Sequence, residues 1–125
     1  MGGHERVLVV DDDRLILAGM AAALEGAGFR VWTTEAAEEA LRLARRVRPD
    51  AIVTDLRMPE MDGLALLERL ERESLSVPQT VIIYSATPPD HAAVPSYAQW
   101  IPKTSSHKAL IDVLSARRLD ASRRP

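Results

Sequence analysis

Asp11, Asp12, Asp55, Ser85 and Lys103 are residue types that can do chemistry together, and each closely follows a short apolar run. Asp55 is delivered by Ala51-Ile52-Val53-Thr54, and the chain then breaks into a turn containing Pro59 and Gly63. Apolar runs of this length before a turn read as buried strands of a parallel sheet. All five residues would then emerge at the carboxyl edge, where open α/β sheets bind their ligands. Clustered carboxylates raise one another's pKa values. A hard divalent cation removes that conflict, and Mg²⁺ takes one or two carboxylates, water and a phosphate oxygen. A carboxylate beside such an ion can attack phosphorus to give an acyl phosphate, which makes Asp55 the expected nucleophile. A lysine can bear charge on the transferring group, and a serine hydroxyl can donate a hydrogen bond to it.

The elements that must position these groups alternate. Arg6–Val10 reads as a strand ending in Asp11-Asp12-Asp13, with Asp13 suited to cap the helix that follows. That helix spans residues 14–27, with Leu17, Met20, Ala21 and Leu24 inward and Gly26 and Gly28 as the stop. Phe29–Thr33 is a strand, and Thr34 is the expected N-cap of a helix over 35–47. Arg42, Arg45, Arg46 and Arg48 fall near its C-terminal end, where positive charge suits the dipole. After the Asp55 strand, Leu64, Leu67 and Leu70 mark a helix ending near Ser74, and residues 80–85 form a buried strand. Pro88, Pro89 and Pro95 restrict the next segment to one or two helical turns, near residues 90–94. Residues 99–102 form a strand that Pro102 assigns to a sheet edge. Thr104, Ser105 and Ser106 offer caps for a last helix to about Arg118, and residues 120–125 read as a frayed polar tail. Strand–helix alternation repeated five times demands a parallel sheet with helices on both faces.

The 125 residues suffice for one domain with a real core. A formal net charge of -2 gives no global basic field for nucleic acid. The absence of cysteine excludes disulfides and thiolate metal sites. No apolar segment approaches the ~20 residues of a membrane span, and with no signal peptide evident the expected location is cytoplasmic. His4, His91 and His107 lack metal-ligand spacing and are expected at the surface.

Val9-Val10-Asp11-Asp12, the segment Asp55-Leu-Arg-Met-Pro-Glu-Met-Asp-Gly63, Ser85-Ala86 and Lys103 together resemble the receiver domain of two-component response regulators. The resemblance covers Arg6 to roughly Arg118. It implies a flavodoxin-like (βα)5 doubly wound parallel sheet of order 2-1-3-4-5, with a receiver domain over 1–118 and a polar tail or linker stub over 119–125. It implies that Asp55 is the phosphoacceptor. Asp12 and Asp55 would ligate Mg²⁺ directly with the backbone carbonyl of Arg57, and Asp11 mainly through water. Ser85 would be the switch hydroxyl, Lys103 the partner of the phosphoryl group, and Trp100 the switch aromatic. An indole offers only a donor where the family's usual phenol also accepts, so fixed packing is an equal reading for Trp100. The implied partners are a sensor histidine kinase or histidine phosphotransfer protein, and a downstream output protein or fused output domain. The resemblance brings no direct contact with nucleic acid or membrane, and any homodimer would use a non-standard interface. The domain would be a self-phosphorylating and self-dephosphorylating switch rather than a turnover enzyme.

Two departures stand out. Thr104 follows Lys103 where the family has proline, and because a cis bond to a non-proline residue costs roughly 2.5–4 kcal/mol, that bond is expected trans. The interval from Ser85 to Lys103 is also short by about one helical turn, so the fourth helix should be shortened or irregular. Two other readings stay open. Asp11-x-Asp13 resembles the nucleophile motif of haloacid-dehalogenase-type phosphohydrolases, with Leu15 where threonine or valine is preferred. A receiver-like module that docks without being phosphorylated is the second.

Overall fold

The computed structural model describes residues 5–73, 78–103 and 107–123. The elements in order are β1 (Arg6–Val10), α1 (Arg14–Gly26), β2 (Arg30–Thr34), α2 (Ala37–Val47), β3 (Ala51–Thr54), α3 (Gly63–Arg72), β4 (Thr80–Ser85), a 3-10 turn (His91–Ala93), β5 (Ala98–Pro102) and α4 (Lys108–Arg123). The strands form one sheet of order β2-β1-β3-β4-β5, and every pairing is parallel. Pro102 does lie on an edge strand, where its missing N–H breaks no central ladder.

Period-two alternation along the strands divides the core. Leu8, Val10, Ile52, Val81 and Ile83 face α2 and α3. Val7, Val9, Val53, Ile82 and Tyr84 face α1 and α4 with Leu17, Met20, Leu24, Leu110 and Leu114. In α2, Ala37, Ala40, Leu41, Ala44 and Val47 recur at helical spacing and are all buried. Each such leucine or valine, once buried, contributes about 1.5–3 kcal/mol. β1 runs through α1 to β2 on one side and its neighbour β3 runs through α3 to β4 on the other, so the connections after these two strands diverge on opposite faces of the sheet. The crevice this creates opens at the carboxyl ends of β1 and β3.

Two boundaries depart clearly from expectation, while the short fourth helix agrees with it. Thr34 does not cap α2. It stays in the sheet, paired with Val10, and its Oγ1 accepts from the Ala36 N–H at 3.2 Å, while the helix begins at Ala37 behind a cap position with no side-chain bond. The last helix continues through Arg123, past the expected end near Arg118, since nothing in Asp120-Ala121-Ser122 breaks a helix. The fourth helix shrinks to a single 3-10 turn, held by the Ala92 N–H on Asp90 Oδ1 at 3.0 Å and the Ala93 N–H on the Asp90 carbonyl at 2.9 Å. The expected caps at 104–106, the Lys103–Thr104 bond, Ser74 and His4 lie outside the described residues, as does the His91 side chain. Among the described residues no helix is long and apolar enough to cross a membrane.

Candidate functional site

Sheet register brings the acidic residues together. Val10 pairs with Thr54, so Asp11 and Asp55 each lie one step beyond neighbouring strand ends. The Asp55 N–H donates to the Val10 carbonyl at 2.9 Å, and the Asp11 N–H donates to the Thr34 carbonyl at 3.2 Å. Asp11, Asp12 and Asp55 each offer a carboxylate oxygen, and these lie within 4.8 Å of one another. Asp11 is buried, Asp55 half-buried and Asp12 exposed. Three hard oxygen donors on one crevice, open on one side, fit an Mg²⁺ ion that keeps part of its water.

Lys103 closes the group from the far edge of the sheet. Its backbone N–H donates to the Ser85 carbonyl at 2.9 Å. Its Nζ donates to Asp11 Oδ2 at 2.7 Å and lies 3.3 Å from Asp55 Oδ2. Burial pushes the Asp11 carboxyl above its ordinary value, and contact with the Lys103 ammonium only partly offsets that. Burial also works against charge on Lys103, but Asp11 and Asp55 outweigh it and hold its pKa above the ordinary value. The pair therefore does not behave as a simple ion pair, in which the acid would be depressed. The buried acid remains short of compensation because burial outweighs what Lys103 and the Asp13 N–H give back, and the neighbouring Asp55 carboxylate adds a smaller push the same way.

Asp55 is fixed from below. Its Oδ1 accepts from the Leu56 N–H at 2.7 Å, and the Thr54 hydroxyl donates to its carbonyl at 3.0 Å. The Gly63 N–H, at the start of α3, donates to the Leu56 carbonyl at 2.8 Å. A Cβ on Gly63 would lie 2.2 Å from the Asp55 carbonyl oxygen, so this glycine is required by close approach and not only by the turn. Asp62 caps α3 through its Oδ1 on the Ala65 N–H at 2.8 Å.

The remaining candidates divide. Arg57 is exposed in the loop after β3. Ser85 is buried, and its hydroxyl donates to the Thr87 carbonyl of its own loop. Trp100 is half-buried against the α2–α3 side of the core, and its indole N–H donates to the Ser85 carbonyl at 3.3 Å. That carbonyl thus receives both Trp100 and Lys103. Asp13 caps α1, its Oδ1 accepting from Leu15 at 2.9 Å and Ile16 at 3.3 Å, and it stands apart from the three-carboxylate cluster. The side chain that a phosphohydrolase reading would pair with Asp11 is therefore occupied elsewhere.

Sequence reasoning missed one contact. His107 is half-buried rather than at the surface. Its Nδ1 lies 3.2 Å from the Tyr84 hydroxyl, and its Nε2 lies 3.2 Å from where a Cβ on Gly19 would stand. No local pattern signals this, because the three residues come from β4, α1 and the approach to α4.

Comparison with known proteins agrees with this geometry. Over 88 residues the chain is 42% identical to the transcriptional regulatory protein PrrA of Mycobacterium leprae, covering 70% of this chain and 38% of that protein. Over 93 residues it is 42% identical to the DNA-binding transcriptional regulator NtrC of Escherichia coli K12, covering 74% of this chain and 19% of that protein. The chain thus spans well under half the length of these relatives. In fold it is similar to the chemotaxis protein CheY4 of Vibrio cholerae, with a TM-score of 0.81 at 24% identity, over 91% of this chain and 98% of that one. The family model described as the response regulator receiver domain matches residues 7–115, and with that match over most of its length the chain belongs to the receiver domains of two-component response regulators.

Proposed function

We propose that the domain accepts a phosphoryl group on Asp55, with Mg²⁺ held by Asp11, Asp12, Asp55 and the main-chain carbonyl of Arg57. The observation that carries this reading is the Lys103 ammonium, within 3.3 Å of Asp55 and 2.7 Å of Asp11 beside a cluster of three carboxylates. An Asp55 carboxylate oxygen attacks phosphorus on a phosphohistidine of a sensor histidine kinase or phosphotransfer protein. The P–N bond breaks, its electron pair leaves with the imidazole, and an acyl phosphate remains. The ion, when bound, neutralises charge on the phosphoryl oxygens. Lys103 pairs with one of those oxygens, giving up part of its hold on Asp11. The Ser85 hydroxyl turns from the Thr87 carbonyl toward another. Because Trp100 and Lys103 share the Ser85 carbonyl, a shift at Ser85 reaches β5 and biases a two-state equilibrium. Water later attacks phosphorus, the bond from phosphorus to the Asp55 oxygen breaks, inorganic phosphate leaves and the carboxylate is regenerated. The receiver unit spans residues 1–118, and its output lies in a fused domain or a separate downstream protein.

The test is incubation with acetyl phosphate and Mg²⁺. The wild-type protein gains one phosphoryl mass on Asp55, and Asp55→Asn gains none. Equal labelling of the two, or no labelling of the wild type, would overturn the assignment.

A further inference from the structure

We propose that the groove between α3 and the β4–β5 connection is a docking site for a basic, amphipathic segment of a protein partner. This role does not depend on Asp55 being the phosphoacceptor.

The groove exists because the connection from β4 to β5 is thin. Pro88, Pro89 and Pro95 leave it a single 3-10 turn, His91–Ala93, and an open volume of about 440 Å³ remains beside α3. That is the size of a binding cleft. Ala93 and Pro95 form a low wall on the connection side, and Leu64 and Ala65 form the apolar part of the α3 wall. The described lining residues are exposed or half-buried, none of them buried. Such an open groove suits a chain laid along it better than a small molecule, which needs to be enclosed.

Charge selects the occupant. Asp62, Glu68 and Glu71 line the groove, with no lysine or arginine among the described lining residues. Leu64, Glu68 and Glu71 fall at i, i+4 and i+7, one stripe of α3, so two carboxylates stand one turn apart, which is unfavourable for the helix alone. Little in the fold offsets this. Asp62 gives one oxygen to the cap of α3. Glu71 accepts from the Tyr97 hydroxyl. Burial, and then the adjoining Glu71 carboxylate, push that phenol above its ordinary value, so it donates as a neutral group and cancels no charge. Among the described residues, only Glu68 of the three meets a cation, the exposed Arg72. The groove between α2 and the β3–α3 loop is the contrast. It too is lined by three acids, Glu35, Glu38 and Glu60, but Arg14 holds Glu35 at 2.8 Å and Arg69 holds Glu38 at 3.2 Å. The groove beside α3 thus keeps more uncompensated negative charge around an apolar floor, which complements lysine or arginine flanking small apolar side chains. A second copy of this chain would have to offer the exposed Arg42, Arg46 and Arg48 at the end of α2. That contact is head-to-tail and makes rings or filaments instead of a discrete pair, so the occupant is a separate protein.

The probe is a synthetic helical peptide of about fourteen residues, roughly four turns, with leucine and alanine along one face and arginine along the other. In its counterpart, glutamate replaces arginine. Each is titrated into the isotope-labelled full chain and followed by amide chemical shifts. The arginine peptide should shift the amides of residues 62–71 and 92–96, and the glutamate peptide should not bind. Glu68→Gln and Glu71→Gln should each weaken binding about two- to fivefold, and added salt should weaken it further. Glu68→Lys combined with Glu71→Lys should weaken the arginine peptide by more than about tenfold and admit the glutamate peptide instead, with amide shifts away from the groove unchanged as the sign of an intact fold. Shifts that spread equally to Glu35, Glu38 and Glu60, equal affinity for the two peptides, or an affinity untouched by the charge reversal would overturn the docking role. So would self-association of the peptide-free chain that the reversal abolishes, because the groove would then hold a second copy.

Discussion

Gly63→Ala tests how tightly a single residue fixes the nucleophile. The added Cβ would stand 2.2 Å from the Asp55 carbonyl oxygen, and backbone cannot yield as the far end of a side chain can. Overpacking of this kind costs about 3 kcal/mol, to be read as a lower urea midpoint, and labelling of Asp55 should slow beyond what stability alone explains. The carboxylates were legible in the sequence because a charge that ends an apolar run must come out at a solvated or ion-binding edge, and the structure brings Asp11, Asp12, Asp55 and Lys103 together. Ser85 was legible as a position but not as a conformation, since its hydroxyl turns to the Thr87 carbonyl. Tyr84 and His107 were not legible: one reads as a core residue of a strand and the other as a stray histidine. Their contact depends on how α1 and the approach to α4 pack over the same sheet face.

At the scale of elements, α2 and α3 are joined by a chain of charge. Arg69 donates to Glu73 at 2.7 Å and to Glu38 at 3.2 Å, and Arg45 donates to Glu73 as well. Arg45 and then Arg69 hold the Glu73 carboxyl below its ordinary value of 4.5. A depressed carboxyl contributes stability above its unfolded pKa and loses it as pH falls through the folded value. Glu73→Gln should therefore have a lower urea midpoint than the wild type at neutral pH. The gap should close as pH drops below 4.5 and narrow in high salt, because the network lies at the surface, half-buried at Arg69 and Glu73 and exposed at Arg45 and Glu38. A gap that persists in acid would mean that packing, not charge, joins the helices. Elements themselves were readable wherever an apolar stripe or run was strong, as in α1, α3 and β4. Boundaries failed where tertiary pairing overrode local preference: Thr34 has the chemistry of a cap, yet the ladder with Val10 keeps it in β2. The shortened fourth helix was readable because proline forbids helix for a local reason that no packing reverses.

For the molecule as a whole, the acidic cluster ties folding to metal. The folded chain gathers three carboxylates within 4.8 Å, and the Lys103 ammonium pairs with Asp11 and Asp55 among them. An ion that binds this folded arrangement and not the unfolded chain stabilises by mass action, about 2.7 kcal/mol at about a hundred times Kd. For a domain of this size that is a rise of about 10 °C in Tm. Added Mg²⁺ should produce such a rise in the wild type, and a chelator should reverse it. Sodium at the same ionic strength should have little effect, because screening acts on exposed charge and not on a shared coordination site. Asp12→Asn isolates the cause. Asp12 is the exposed member of the cluster, so its neutralisation relieves repulsion without opening a cavity, and the metal-free variant should be at least as stable as the wild type. It should also lose most of the Mg²⁺ response. A variant that still responds fully would place the ion elsewhere, and the convergence of strand ends on which the phosphoacceptor reading depends would then lose its chemical meaning.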